Sequence, residues 1–170
     1  MTFRSPARRR TIASARVLAA AAALSLIAAS AQAQNSRDCL YVDSRQGWQA
    51  LPAPEGEVID LSADGEWTVW DGAQPPVNLK GHVGKAADEL APWTGYKYDQ
   101  SYPFGAMLYR SANGKVASFA ELATRLWLGQ ATGREISDIG AIELRINDGD
   151  DALDDNSGRI RVCLIHAPRG

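Results

Sequence analysis

The sequence predicts an all-β protein, an antiparallel β-sandwich, and three observations support this prediction. Short segments rich in β-branched and aromatic residues recur along the chain at the spacing usual for such a sandwich. Turn-forming sequences such as "ADG" and "ANGK" separate several of them. Two segments near the C-terminal end alternate apolar and polar residues with the period of a half-buried strand. Helix signals are sparse by comparison, so the strands decide the fold class.

The predicted strands follow one another with short connections. "CLYVD", "EVIDLS" and "EWTVWD" come first, and "ADG" joins the last two as a predicted hairpin. "AMLYRS" (Ala106–Ser111) and "VASFA" flank "ANGK" and predict a second hairpin. In "AIELRIND", one face consists of Ile142, Leu144 and Ile146, and the other of Glu143, Arg145 and Asn147. "GRIRVCLIHA" alternates in the same way and predicts the last strand.

Two stretches do not fit the strand pattern. In "SFAELATRL", Ser118 and Glu121 have the spacing of a capping box, which would open a short helix. Residues 72–103 form a long turn-rich passage that includes "PWTGYKY". Such a passage is either functional or contains an element that the pattern does not reveal. Trp67 and Trp127 stand in alternating apolar patterns and are predicted to lie in the core.

The first 33 residues are predicted to be a secretory signal peptide, followed by a single domain over residues 34–170. Five arginines precede the apolar run "VLAAAAALSLIAAS", and "AQA" (residues 31–33) supplies the cleavage pattern. The run is too short for a transmembrane anchor. Adjacent arginines leave twin-arginine export open as a minor alternative. The protein is therefore expected to be exported and either periplasmic or secreted.

The mature chain is acidic. Removal of the leader takes away five of the 18 basic residues and none of the 20 acidic ones, which leaves a formal net charge of −7. Nucleic acids and anionic membranes would repel such a chain, so neither is an expected partner.

Cys39 and Cys163 are the two cysteines of the chain, and they lie near the ends of the mature sequence. In an oxidising compartment they are expected to form a disulfide that holds the first and last strands side by side. Two buried free thiols are the alternative. No nearby histidine makes the pair a plausible catalytic dyad or zinc site, so neither is predicted.

The loop "INDGDDALDDNSG" (residues 146–158) crowds five aspartates between the two cleanest strands. Neighbouring carboxylates about 6 Å apart repel each other by roughly 0.7 kcal/mol even in water. A calcium ion would remove this repulsion, because calcium takes six to eight oxygen ligands from carboxylates, amides and carbonyls. The spacing is not that of an EF-hand, since position 5 from Asp148 is Ala152. A solvated acidic loop without metal is the alternative.

The segment "RINDGDDALDDNSGRIRVCL" resembles the terminal strand, loop and strand of the small calcium-dependent galactose-binding bacterial lectins, the PA-IL-like family. "GEVIDLSADGEWTVW" and "PFGAMLYR" resemble the family's "GxW" and "GAL" segments. Residues 72–103 depart from the family pattern and are longer. The resemblance implies a jelly-roll or galactose-binding-domain-like sandwich that binds sugar hydroxyls through a bound calcium ion.

The resemblance also implies the site residues. The calcium ligands would be the Asp148 side chain, the Ala152 carbonyl, the Asp155 and Asn156 side chains, and the Trp70 carbonyl. Asp148, Asp155 and Asn156 would also contact the sugar. Asp155 stands where the galactose binders usually have asparagine, which leaves the choice of sugar open. Asp150, Asp151 and Asp154 would raise the local negative field without binding the metal.

Two further residues are candidate sugar contacts. His82, in "KGHVG", is the candidate for the family's histidine, although a loop histidine is more often simply exposed. Trp93, in "APWTGYKY", is the tryptophan that the sequence most favours as exposed, and it would stack on a sugar ring. Packing within its own loop is the alternative role.

Three classes of function compete. The first is a lectin-like carbohydrate-binding module with galactosides as its partners, for which homo-oligomerisation is left open. The second is a calcium-stapled structural or interaction domain without sugar binding. An enzyme is not expected, because glycoside hydrolysis needs two carboxyl groups across a cleft and the aspartates share one turn. Motifs of serine, metal or cysteine hydrolases are also missing from the sequence.

Overall fold

The structure of the protein is a computed structural model that describes residues 35–131 and 140–168. The predicted signal peptide, residues 1–33, lies outside the described residues. Within them, no helix has both the length and the apolar character needed to cross a membrane.

The described residues form mainly antiparallel β-sheet with few helices, which confirms the all-β prediction at this level. The strands are β1 Ser36–Asp43, β2 Gln49–Leu51, β3 Gly56–Thr68, β4 Met107–Ser111, β5 Val116–Ser118, β6 Ile142–Ile146 and β7 Ser157–Pro168. One sheet has the strand order β1-β7-β3, and the other has the order β2-β6-β4-β5. The helices are α1 Lys85–Leu90, α2 Phe119–Ala131 and two 3₁₀ helices, Ala91–Tyr96 and Leu153–Asp155.

The terminal strands are neighbours, as predicted, and a disulfide joins them. Cys39 of β1 and Cys163 of β7 are directly opposite each other in the antiparallel register, and their sulfur atoms are bonded. The bridge closes a loop with a sequence separation of 124 residues. Restricting the unfolded chain over that length stabilises the folded state by roughly 4–5 kcal/mol on chain-entropy grounds.

The predicted hairpin at "ADG" is wrong, because β3 runs through it as one continuous strand of 13 residues. Asp64 pairs with Arg161 and Gly65 pairs with Ile160 of β7. Gly65 has φ 116°, and a Cβ atom there would lie 2.6 Å from the Arg159 carbonyl oxygen. The glycine therefore permits a close approach of two strands, which the local sequence cannot distinguish from a tight turn.

Buried side chains from both sheets form one hydrophobic cluster. The two C-terminal strands contribute the residues that alternation predicted, namely Ile142, Leu144, Ile146, Ile160, Val162 and Leu164. Trp67 belongs to the same cluster, as predicted. Trp127 does not: it is 66% exposed, because helical periodicity in α2 turns Leu122 and Leu126 to the core instead.

The passages that did not fit the strand pattern contain α1, α2 and the 3₁₀ helix Ala91–Tyr96. The Ser118 hydroxyl accepts a hydrogen bond from the Glu121 N–H at 3.2 Å, which is one of the two bonds of the predicted capping box at the start of α2. The Glu121 carboxylate lies 3.5 Å from the Tyr102 hydroxyl. Helix α1 and the 3₁₀ helix Ala91–Tyr96 lie within residues 72–103, where the sequence indicated a missed element or a functional segment.

Candidate functional site

The acidic loop between β6 and β7 forms one side of a cavity of about 270 Å³. The other lining residues are apolar or aromatic and come from the segment that follows β3, from α1, from the 3₁₀ helix Ala91–Tyr96 and from the segment before β4. The lining residues are Val69, Trp70, Leu90, Trp93, Tyr96, Phe104, Asp148, Asp151, Ala152 and Asp155. Five of the residues predicted from the sequence therefore meet at one cavity: Trp70, Trp93, Asp148, Ala152 and Asp155.

Asp148 is the buried carboxyl group of this cavity, with 3% of its surface exposed. Burial raises the pKa of the Asp148 carboxyl to about 6, and the charge of Asp155 acts in the same direction. Hydrogen bonds from the Asn156 side chain and the Gly149 N–H, and the charge of Arg145, act in the opposite direction without balancing the burial. The protein therefore holds a carboxyl group in a position where its charge is incompletely compensated.

Asn156 is fully buried and interacts with the Asp148 carboxyl group. Its Nδ2 donates a hydrogen bond to the Ser44 carbonyl oxygen at 3.2 Å. Its Oδ1 has no hydrogen-bond partner among the described residues. A buried amide oxygen without a partner costs free energy, and such groups call for a specific explanation. Here the unpartnered oxygen belongs to a side chain that already contacts a buried carboxylate, and a cation would satisfy both groups.

Two other predicted ligands, Asp155 and Trp70, lie where the backbone of the acidic loop is hydrogen-bonded to the segment that follows β3. The Asp155 side chain is exposed, and the Asp155 carbonyl oxygen accepts the Asp71 N–H at 2.7 Å. This bond joins the acidic loop to the residue after Trp70. The Trp70 carbonyl oxygen accepts the N–H groups of Ala73 and Gln74, both at 3.0 Å, so a metal would have to share that oxygen. Within residues 35–131 and 140–168, Trp70 is the sole non-glycine residue with positive φ, at 144°. Strain of this kind concentrates at functional sites.

The five aspartates of the loop do not converge on one point. Asp150 pairs with Arg145, Asp151 lines the cavity, and Asp154 is exposed. No group of three His, Cys, Asp or Glu side chains with the geometry of a metal site occurs in the described part of the chain. The predicted ligand set contains two carboxylates, with amide and carbonyl oxygens completing it.

Arg145 organises the acidic loop, and the sequence prediction missed it. Alternation along β6 predicts a polar face, but the Arg145 side chain is only 1% exposed. Its guanidinium donates to the Asp148 carbonyl oxygen at 2.7 Å, to the Ile146 carbonyl oxygen at 3.1 Å and to the Asp150 carboxylate at 2.7 Å. Tyr98 covers it, with the guanidinium carbon 4.0 Å from the ring centroid. An arginine three residues before Asp148 and five before Asp150 is the sequence signal for this role.

Asn147 is the second residue that alternation wrongly predicts to be exposed. It is completely buried, and it ties the acidic loop to residues 99–103. Its Nδ2 donates to the carbonyl oxygens of Asp99, Tyr102 and Pro103, and its Oδ1 accepts the Asp99 N–H at 2.8 Å. Residues 99–103 are not part of either sheet, and the Asn147 side chain supplies hydrogen bonds that a neighbouring strand would otherwise provide.

His82 does not line the cavity. It is 2% exposed, and its backbone N–H donates to the Phe104 carbonyl oxygen. Neither nitrogen of its ring has a hydrogen-bond partner among the described residues. Burial lowers the pKa of the His82 imidazole, so the ring is neutral at ordinary pH. The His82 backbone is therefore bonded to a residue that lines the cavity, but the His82 side chain is not part of the lining.

Three aromatic side chains stand together on the apolar side of the cavity. The ring centroids of Trp70 and Trp93 are 6.2 Å apart with an interplanar angle of 77°, and those of Trp93 and Tyr96 are 6.1 Å apart. The acidic loop packs against the backbone of Tyr96: a Cβ atom at Gly149 would lie 2.5 Å from the Tyr96 carbonyl oxygen. The loop can approach so closely because residue 149 has no side chain.

Comparisons with protein-family models, with curated proteins and with solved structures found no match to this chain.

Prediction for Asp148. Because its pKa is about 6 in the folded protein and 3.8 ordinarily, the folded state binds the proton more tightly than the unfolded chain does. The group therefore favours the metal-free folded state below about pH 4, and this contribution is lost as the pH rises through about 6. In urea unfolding of the metal-free protein, the free energy of unfolding should fall by an amount on the order of 2–3 kcal/mol across that pH range, relative to the Asp148→Asn variant. Parallel pH profiles for the two proteins would contradict the assignment.

Prediction for Arg145. Arg145→Gln should lower the free energy of unfolding by roughly 2–4 kcal/mol, because two buried carbonyl oxygens lose their donors and Asp150 loses its partner. Arg159→Gln is the matched control, since Arg159 is an exposed arginine on β7. Its effect should stay within about 1 kcal/mol. Equal effects of the two substitutions in urea denaturation would show that Arg145 does not organise the loop.

Proposed function

We propose that this protein is an exported calcium-binding, lectin-like module that contacts sugar hydroxyls through a bound calcium ion. The observation that carries the proposal is the pairing of a buried, incompletely compensated Asp148 carboxyl group with a buried Asn156 side chain whose Oδ1 has no partner in the described residues. Asp148 lines the cavity together with Ala152 and Asp155, and the Asn156 side chain interacts with Asp148.

The chemistry of these groups favours calcium over other metals. The predicted ligands are all oxygen atoms, from carboxylates, an amide and backbone carbonyls, and calcium prefers such a set. Zinc and copper sites use histidine or cysteine, and within the described residues both cysteines are bonded to each other and neither histidine reaches the cavity. A divalent cation would also favour the ionised form of Asp148, which burial opposes.

The shape of the cavity supports a sugar as the ligand. A pyranose has polar hydroxyl edges and apolar C–H faces, and the cavity is lined by both carboxylates and aromatic rings. Two adjacent hydroxyls would complete the coordination of the metal, as the resemblance to the calcium-dependent galactose-binding lectins implies. We also propose that the two sheets form a sandwich of that jelly-roll type. The disulfide is compatible with an oxidising compartment outside the cytoplasm.

Prediction for calcium. Calorimetric titration of calcium into the chelator-stripped mature protein should give one site with an affinity on the order of micromolar to millimolar. Asp148→Ala and Asn156→Ala should each abolish binding, because each removes an oxygen that no other group replaces. Asp150→Ala should only weaken it, since Asp150 pairs with Arg145.

Asp154→Ala is the matched control for calcium binding. It removes the same charge from the same loop, but Asp154 is exposed and does not line the cavity. Loss of binding in this variant to the same degree as in Asp148→Ala would mean that the loop attracts calcium only through its net charge. Absence of binding heat and of thermal stabilisation at calcium concentrations tenfold above the stated affinity range would reject the site.

Prediction for sugar binding. Calcium-loaded protein displayed multivalently on a glycan array should bind galactosides, and a chelator should abolish the signal, because protein contacts alone leave the sugar hydroxyls poorly compensated. Asp155→Asn should lower calcium affinity and change the sugar preference. Calcium binding without any array signal would instead identify the ion as a structural staple.

A further inference from the structure

We propose that the outer edge of β3 binds an extended peptide of alternating apolar and basic residues, which pairs with β3 as an additional antiparallel strand. The part of β3 that would form the new pairs, residues 61–65, is called the free edge below. The described residues that line this surface differ from those that line the cavity at the acidic loop. The inference is therefore independent of the proposed function.

The backbone of the free edge carries hydrogen-bonding groups that point away from the sheet. β3 is an edge strand in the order β1-β7-β3. Beyond the free edge, Trp67 and Val77 exchange two backbone hydrogen bonds of 3.0 and 2.8 Å on the side away from β7. Residues two positions apart in a strand direct their backbone groups to the same side, so the N–H and C=O groups of Ala63 and Gly65 also point away from β7. Among the described residues these groups have no hydrogen-bond partner.

Two further bonds support this direction of the backbone groups. The Leu61 N–H donates to the carboxylate of Asp60 at 2.8 Å, a bond that is possible because no neighbouring strand takes up this N–H. Gly158 lies opposite Trp67 in β7, and its carbonyl oxygen accepts the Ser44 N–H on the far side, next to β1. The outward side of β3 is therefore consistent from residue 61 to residue 67.

A groove of about 620 Å³ separates the free edge from residues 78–80. It forms because the chain leaves β3 after Val77 and joins the other sheet. There the Leu79 carbonyl oxygen accepts the Met107 N–H at 2.9 Å, and Lys80 forms a bridge with Ala106. The position where a further strand would pair with β3 is thus accessible along the free edge.

The hydrophobic core is incompletely covered at this groove. Ala63 and Leu79 line it, and both are partly buried residues that pack against the core, as do Leu61 and Val77 nearby. Successive side chains of an extended peptide point to opposite faces, so every second side chain would cover this apolar surface. Apolar residues at alternate positions of the peptide are therefore expected. Strand addition of this kind obtains affinity from the backbone and specificity from the alternate side chains.

The outer face of β3 determines the charge of the peptide. Asp64 and Glu66 line the groove and are exposed, and neither has an ion-pair partner among the described residues. Arg159 and Arg161 lie opposite them on β7, but their guanidinium groups lie over the ring of Tyr41, at 4.9 and 5.9 Å from its centroid. The two carboxylates therefore remain available to basic side chains of the peptide.

A second copy of the chain fits the free edge poorly. Pairing of two free edges would bring the acidic side chains of Asp60, Asp64 and Glu66 near those of the other copy, and like charges across strands destabilise a sheet. Charges at an edge are a common protection against such pairing. Protection alone would explain the acidic residues, but it leaves the apolar groove beside them uncovered.

The test measures binding of the labelled peptide KVKVKVK to the mature protein by fluorescence anisotropy at low salt. The peptide should bind at least about tenfold more tightly than EVEVEVE, whose carboxylates the edge would repel. A chelator should leave binding unchanged, which separates this inference from the calcium site. Equal affinities for the two peptides, or no binding of KVKVKVK, would overturn the inference.

N-methylated peptides distinguish strand addition from simple charge attraction. In an antiparallel pair, residues directly opposite each other share one face, so the valines would provide the N–H groups that bond to Ala63 and Gly65. N-methylation of the valines should therefore weaken binding about tenfold, whereas N-methylation of the lysines should change it less than about twofold. Equal affinities for the two methylated peptides would overturn the inference.

Ala63→Pro is the corresponding change in the protein. Proline is tolerated on an edge strand where the lost N–H faced solvent, as the Ala63 N–H does. The variant should fold and bind KVKVKVK about tenfold more weakly. Unchanged affinity of the folded variant would contradict strand addition. Peptide binding that competes with dimerisation of the protein would identify a second copy as the occupant and overturn the inference.

The contribution of charge is tested with the double variant Asp64→Asn, Glu66→Gln. It should weaken binding of KVKVKVK about three- to tenfold, because two exposed ion pairs are lost. The double variant Asp88→Asn, Glu89→Gln is the matched control, since it removes the same charge from exposed positions of α1 that do not line the groove. Equal weakening by both double variants would show that only the net charge of the protein attracts the peptide, which would overturn the inference.

Discussion

The acidic loop depends on the buried guanidinium of Arg145. Charged groups in a turn between two strands repel one another, and the loop keeps a defined shape because one internal cation binds it at the Asp148 carbonyl, the Ile146 carbonyl and the Asp150 carboxylate. The loop also passes from one sheet to the other, since β6 and β7 belong to different sheets. Arg145 therefore fixes a connection on which the relative arrangement of the site residues depends. Tyr98 and Trp48 cover the guanidinium and keep water away from these bonds.

One charge in the loop remains without adequate compensation. Arg145 binds the backbone of Asp148 and the side chain of Asp150. Within the described residues, the hydrogen bonds to the Asp148 carboxylate come from the Asn156 side chain and the Gly149 N–H, and the charge of Arg145 acts on it without a direct bond. A protein selected for stability alone would place an apolar side chain there or neutralise the carboxylate. A buried acid beside an amide oxygen that has no partner among the described residues supports the proposed calcium site.

Hydrogen bonds and close backbone contacts join the acidic loop to the segments that carry the aromatic residues of the cavity. Asn147 binds three carbonyl oxygens of residues 99–103, the Asp71 N–H binds the Asp155 carbonyl, and Gly149 lies against the backbone of Tyr96. Each contact joins the β6–β7 loop to a segment distant in sequence. The passage 72–103 thus contributes to the site through backbone contacts of the loop, although its own sequence shows little regular pattern.

Local patterns were sufficient to predict several features of this protein. Alternation along β6 and β7 predicts their core residues, because the side-chain period of a strand is a property of the backbone itself. The positions of Cys39 and Cys163, together with the predicted export, indicate the disulfide. The concentration of aspartates identifies the loop that lines the cavity. Each of these inferences needs only neighbouring residues or the chemistry of the compartment.

Tertiary structure decided the features that depend on contacts between distant segments. Gly65 lies inside a long strand and not in a turn, because β7 provides a partner along its whole length. Arg145 and Asn147 are buried on a face that alternation predicts to be polar, because Tyr98 and residues 99–103 cover that face. His82 is buried away from the cavity, while Trp93 lines it. The sequence alone determined which residues could form strands, a disulfide and an acidic loop. Which aspartate is buried, which is paired and which faces the cavity was decided only by folding, because burial and its effect on charge arise from segments far apart in the chain.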